Sequence, residues 1–327
     1  MNHDQIVKQS KQAYAQWCVQ WRANAIENSK YKMKSFEDFR NTGIGKAILL
    51  VANGYSLEEN METIKANASN VDIMACDKTL GHLIKNGIKP KFVMVCDANV
   101  NYEHYLKPYE DQLQGTILIM NVCGNPLWAA NGNWKDKYFY VNKDVMKNEV
   151  EFIKLSGCQN IVTAGTNVSN MMVVILNQSD NEVKQNLFAY DKILLIGYDY
   201  SWRFDGKYYA YDEEGGGKRF YMRHIYGISE SGKIIFTSNN LNTSASWLNL
   251  YIKAYKVNAI QCGKHVLQNF GRSGDLATQM RYRHKPSDAE KVKELLKTQR
   301  SLEQNLNKIQ NDLKKVARDH WFSSHSI

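Results

Sequence analysis

The chain has 327 residues, of which 43% are hydrophobic, 23% charged and 11% aromatic, so it carries ample material for a packed core. Four prolines and the lack of any low-complexity tract exclude a mainly disordered or collagen-like chain. Lys and Arg number 42 against 33 Asp and Glu, and the net charge of +9 suits an anionic partner: nucleotide, nucleic acid or acidic membrane surface.

No apolar run is long enough to span a bilayer. Met1, Asn2, His3, Asp4 and Gln5 lack the charged-then-apolar pattern of a signal peptide, so the expectation is a cytosolic protein. The six cysteines show no CxxC pairing. Cys76, Cys96, Cys123 and Cys262 follow or end short apolar runs and read as reduced, buried small hydrophobes.

Residues 1–40 read as helix, with Ile6, Ala13, Trp17 and Trp21 loosely periodic and no Gly or Pro before Gly43. The period then changes. Ala47–Ala52 is a continuous apolar run, the mark of a strand buried on both faces of a parallel sheet. Similar runs follow at Val71–Cys76, Phe92–Cys96, Thr116–Met120, Ile193–Ile196 and Asn258–Gln261. Helical stretches at 57–67, 78–86, 167–178 and 241–254 separate them. Strand alternating with helix predicts an α/β fold: a doubly wound, Rossmann-like, mostly parallel sheet.

Residues 203–220 are aromatic, charged and glycine-rich, and suggest a lid over 203–224. Val292, Leu295, Gln299, Leu302, Leu306, Ile309, Leu313 and Val316 are spaced alternately three and four apart, which predicts a coiled-coil-like helix. Such a seam either packs on the chain's own N-terminal helix or joins copies through 289–317. The expected organisation is an N-terminal helical segment (1–42), a catalytic domain (43–270) and a basic heptad helix (286–320).

In an open α/β sheet, ligands bind beyond the carboxyl ends of the strands. Asn53, Gly54 and Ser56 follow the first strand, Asp77 the second, Asp97 the third, and Asp199 the Ile193 strand. Gly54 allows close backbone approach at a helix start, where N–H groups and the dipole favour an anion. Ser56 with Glu59 also has the form of a capping box. A second anion cradle is predicted at Thr163, Ala164, Gly165, Thr166 and Asn167, where small residues open a helix. Asp77, Asp97 and Asp199 suit ribose hydroxyls, base amino groups or a metal, but none forms an Asp-x-Asp pair, so no metal ligand is assigned. His224, after the glycine-rich stretch, is a candidate acid or base.

The run Ile48–Leu57, then Asp77, then Gly87-Ile88-Lys89-Pro90, then Phe92–Asp97, resembles the motility accessory factor domain, which is shared with the archaeal hydroxymethylpterin diphosphokinase. Tyr55 stands where that pattern carries proline. Thr163-Ala164-Gly165, Ile196–Asp199 and Gly232–Thr237 continue the match over roughly 45–265. The same landmarks are similar to bacterial sialyltransferases that use a CMP-activated sugar. There the resemblance implies nucleotide contacts at Asn53, Gly54, Ser56 and Leu57, and a Tyr209 phenol that donates to the leaving phosphate. Asp77 and Asp97 stand where that family has asparagines, and its catalytic histidine falls near Asn239, which leaves His224 or Asp199 as base.

These features predict a glycosyltransferase that moves a sugar from a CMP- or UDP-linked donor to a hydroxyl acceptor. The acceptor could itself be anionic, DNA included, with Arg281, Arg283, Lys285, Lys291, Lys293 and Lys297 beside Tyr282 tracking phosphates. The alternatives are a Mg2+-dependent diphosphokinase acting on a pterin-like alcohol, or a non-catalytic nucleotide-binding scaffold.

Overall fold

Ala47–Val51 carries no polar side chain and forms β1, fully buried, with Ala47, Leu49 and Val51 entering one core and Ile48 and Leu50 the other. Each of the larger side chains contributes about 1.5–3 kcal/mol by leaving water, and a strand with two apolar faces is stable only between two layers of helices. β2 (Asp72–Cys76), β3 (Phe92–Val95), β4 (Ile117–Asn121) and β7 (Lys192–Ile196) follow the same rule. With β5 (Asp136–Lys143), β6 (Ile161–Thr163), β10 (Ala259–Gln261) and β11 (Arg272–Ser273) they make a nine-stranded sheet in the order β11-β10-β7-β1-β2-β3-β4-β5-β6. Every pairing in it is parallel. β8 (Ile225–Ile228) and β9 (Ile234–Thr237) form a separate antiparallel pair.

The computed structural model describes residues 3–143, 147–178, 187–202, 209–211, 225–228, 234–263, 270–281 and 299–312. The chain divides into two units, Met1–Tyr282 and Arg283–Ile327. In the first, α2 (Ser56–Asn67), α3 (Leu80–Lys85), α5 (Pro126–Asn131), α6 (Glu149–Ser156) and α9 (Leu276–Met280) bury side chains in one core, together with α1 (His3–Asn28). α7 (Val168–Leu176) and α8 (Asn239–Ala254) cover the opposite face, with Phe36 and Phe39. Short α4 (Tyr102–Tyr105) follows β3. The doubly wound α/β fold is present.

The chain winds from β1 out to β6, then returns so that β7 pairs on the other side of β1. The β1/β7 boundary is therefore the topological switch, the place in such a sheet beside which ligands bind.

Four local expectations are corrected. The N-terminal helix ends at Asn28, not near residue 40, because the buried Asn28 amide donates to the carbonyls of Val122 (2.9 Å) and Gly124 (3.0 Å) and fixes the chain there. Ser56 does not cap α2; the cap residue is Tyr55, which makes no side-chain capping bond. β5 and β6 lie beyond the predicted strands. β5 begins and ends in charged residues; Phe139 and Val141 enter one core, and its other face comes from tyrosines whose hydroxyls are separately satisfied: Tyr138 donates to Asp38 (3.0 Å), and Tyr140 pairs with the Cys96 thiol (3.0 Å). All six cysteines are free and Cys76 and Cys262 are buried, as expected, but Cys96 and Cys123 are only half-buried.

In the second unit, residues 299–312 are helical and Leu302, Leu306 and Ile309 are 63%, 55% and 55% exposed. The remaining seam positions, Val292, Leu295, Leu313 and Val316, lie outside the described residues. Among the described residues, no helix is long and apolar enough to cross a membrane.

Candidate functional site

The turns after β1 and β7 cross at a distance only glycine allows. Gly54 N–H donates to the Gly197 carbonyl (3.0 Å), and Ala52 N–H donates to that of Ile196 (2.9 Å). Gly197 has φ +75°, and a Cβ on it would lie 1.9 Å from the Ala52 carbonyl oxygen. A Cβ on Gly54 would lie 2.3 Å from Asp199 Oδ2. The crossing is sealed by Ser56, whose Oγ accepts from Gly197 N–H (3.0 Å) and whose N–H donates to Asp199 Oδ2 (2.8 Å).

This geometry assigns Ser56 and Asp199 to the frame. Ser56 is fully buried, and Asp199 is 1% exposed behind Gly54, its carboxylate at the N-terminus of α2 where the dipole favours it. Burial pushes the Asp199 carboxyl up to about 7. Neither residue lines the cavity described next.

That cavity, of ≈ 490 Å³, lies beyond the carboxyl ends of β1, β2, β3 and β7 at the switch point. Its lining gathers Asn53 and Gly54, Asp77 and Lys78, Asp97, and Tyr209. Gly165, Thr166 and Asn167 enter it from the turn before α7. Val168 and Ser169, which open α7, also line it, and the N–H groups of a helix's first turn have no intrahelical partner. Thr166 Oγ1 accepts from the Asn170 amide (2.6 Å), and Asn167 Oδ1 accepts from Asn170 N–H (2.9 Å) and the Ser169 hydroxyl (2.7 Å). The two side chains fix the helix start, leaving backbone donors to face a ligand.

Asn53 is the unusual group. It is 8% exposed, yet among the described residues neither polar atom of its amide has a hydrogen-bond partner, which in a closed protein interior costs about 1–3 kcal/mol. Asp77 is 3% exposed, and one of its oxygens accepts from Lys78 N–H (2.7 Å). Burial raises its carboxyl to about 6. Asp97 is exposed, with Oδ1 accepting from Asn99 N–H (2.9 Å). Lys78 lies over the rings of Tyr105 (5.6 Å) and Tyr209 (5.1 Å), and Tyr209 bridges Gly54. Among the described residues no group of three or more His, Cys, Asp or Glu could hold a metal ion.

Thr163 ends the edge strand β6, exposed and outside the lining. His224, the lid residues 203–208 and 212–224, and Tyr282, Arg283, Lys285, Lys291, Lys293 and Lys297 lie outside the described residues. Arg281 is described, and its guanidinium donates to Asn67 Oδ1 (3.1 Å).

Sequence reasoning missed Lys78, Cys76, Cys96, Asn142, Tyr198 and Tyr200, all of which line the cavity. Lys78 follows Asp77 directly and was legible as the cation beside a strand-end carboxylate. Asn142 required β5. Tyr198 and Tyr200 reach across to α7, where the Tyr198 hydroxyl donates to the Ser169 carbonyl (2.8 Å) and that of Tyr200 donates to Asn170 Oδ1.

Residues 21–204 match the family model described as 6-hydroxymethylpterin diphosphokinase MptE-like. Among solved structures, the chain is similar to a MAf glycosyltransferase from Magnetospirillum magneticum AMB-1, with 18% identity and a TM-score of 0.60. The match covers 86% of this chain and 42% of that one, so the chain spans less than half of its length. At this identity the likeness shows the fold. No curated protein matches the chain.

Proposed function

This chain belongs to the 6-hydroxymethylpterin diphosphokinase MptE-like family, and from that premise we propose a transferase that takes its group from a nucleotide-linked donor, with glycosyl transfer as the reaction. The observation that carries the reading is the Asn53 amide: buried at the switch point, without a partner among the described residues, and lining a cavity that the first residues of α7 also line. An amide with one free acceptor and two free donors suits the edge of a base or a ribose. The α7 N-terminus and Lys78 suit the donor's phosphate, and the role of donor to the leaving oxygen for Tyr209 is supported by its place in the lining.

In the transfer, the acceptor oxygen bonds to the anomeric carbon as that carbon's bond to the phosphate oxygen breaks. The electron pair leaves on the phosphate, and the hydroxyl proton passes to a base. Asp77 suits the base better than Asp199, because Asp77 lines the cavity and Asp199 is turned into the frame. A carboxyl raised to about 6 is ionised at neutral pH and still accepts a proton readily.

A second reading, diphosphoryl transfer to an alcohol, is supported by the paired carboxylates Asp77 and Asp97 and by the family. Mg2+ is usually held by one or two carboxylates plus substrate phosphates, so these two side chains would suffice to hold it, and it would neutralise the diphosphate. We also propose self-association through 289–317, supported by the exposed Leu302, Leu306 and Ile309.

The test is a thermal-shift screen with CMP- and UDP-linked sugars and with ATP plus Mg2+, followed by product analysis. A CMP- or UDP-linked donor should stabilise the chain and release its nucleotide on transfer, and ATP consumption would favour the second reading. The Asn53→Ala variant should keep its melting temperature, since the amide makes no bond to the described residues, and should lose the shift. If no nucleotide stabilises the parent, the reading fails.

A further inference from the structure

A second, smaller hollow opens beyond the carboxyl ends of β4, β5 and β6. Its volume is ≈ 210 Å³, with Ala13 and Trp21 of α1 and Phe152 of α6 in its wall. At ~30 Å³ per water it holds about seven waters' worth of space, room for one ring and not for a chain. It shares Cys96 and Asn142 with the larger cavity, so the two hollows meet at a common wall.

Its chemistry differs from that of its neighbour. Among the described residues no charged side chain lines it. Trp21 and Phe152 stand edge to face, 6.4 Å between centroids. The polar lining consists of amides, Asn121, Asn142 and Asn148, and Asn142 Oδ1 is buried without a partner among the described residues. Aromatic rings take the apolar face of a ring and amides take its hydroxyl or amide edge, whereas a phosphate would find no counter-charge. Burial pushes the Cys96 thiol up, and Asp77 and Asp97 add to that, which places both carboxylates near the shared wall.

We propose that this hollow receives the acceptor, a neutral ring bearing a hydroxyl, seated against Trp21 and presenting that hydroxyl across Cys96 and Asn142 to the donor. The proposal rests on the transferase reading above. A neutral sugar and a neutral heteroaromatic alcohol share the required chemistry.

Saturation-transfer NMR on the full chain separates these two sources, using methyl β-galactopyranoside, 6-hydroxymethylpterin and inorganic phosphate as probes. Ala13→Trp fills the hollow from α1, and Trp21→Leu removes the stacking face; neither residue lines the nucleotide cavity. One of the neutral rings should bind the parent, identifying the acceptor class, and should bind both variants about tenfold more weakly. The nucleotide-induced thermal shift should survive in both, which also shows that they fold. The proposal is overturned if neither ring binds, if phosphate alone binds, or if ring binding is unchanged in both variants. Ring binding lost in both variants while their melting temperatures stay at the parent's, with no nucleotide shift in the parent, upholds the hollow as a ring site and removes the donor reading instead.

Discussion

Replacing Asp199 with asparagine removes a carboxyl that is 1% exposed and that burial raises from an ordinary 3.8 to about 7, against the lowering effect of its bonds with Ser56. A carboxyl whose pKa is higher in the folded chain than in the unfolded one holds its proton more tightly when folded. Its contribution to stability is full below about 3.8 and is lost as pH rises through about 7. At about 1.4 kcal/mol per pH unit over that interval, the whole effect is about 4 kcal/mol, of which roughly 2–3 kcal/mol falls between about pH 5 and pH 9. The asparagine keeps an oxygen to accept from Ser56 N–H but cannot ionise. In urea titrations at matched pH, the variant's stability relative to the parent should therefore rise by roughly 2–3 kcal/mol across that range. Asp77, raised to about 6 by burial, weakens both proteins alike and cancels in the difference. Parallel pH profiles would refute the reasoning, because they would mean that Asp199 ionises without penalty and is not sealed behind Gly54.

Gly197→Ala should destabilise the chain by about 3 kcal/mol or more, since it places a Cβ 1.9 Å from a backbone oxygen at φ +75°. Gly115→Ala, at φ +92° with nothing within 4 Å, should cost no more than about 1–3 kcal/mol, and equal losses in chemical denaturation would remove the crossing argument. Combined replacement of Leu302, Leu306 and Ile309 by glutamate should leave the melting of the first unit unchanged and convert an oligomeric parent to monomer in sedimentation. A parent that already sediments as monomer would end the proposed seam.

The six predicted strands were legible because each is a short, mostly apolar run, and only a sheet covered on both faces buries such a run. The strand-end residues Asn53, Gly54, Asp77 and Asp97 were legible for a related reason: parallel strands all deliver their carboxyl ends to one edge. β5 was not legible, since its burial depends on partners for Tyr138 and Tyr140 that lie far away in sequence. Asn142 went unseen with it.

By itself, the sequence determined the layered α/β architecture and the edge where a ligand would sit, because periodicity is a property of neighbours along the chain. The need for glycine at position 54 comes from Gly197 and Asp199, far away in sequence. Only the tertiary structure decided which polar groups at that edge are spoken for. Ser56 and Asp199 stand in the same strand-end pattern as Asn53 and Asp77, yet the crossing of β1 and β7 turns the first pair into the frame and leaves the second facing open space. A hydrogen bond spanning more than a hundred residues leaves no trace in local composition, and such bonds separate a structural carboxylate from one free to meet a ligand.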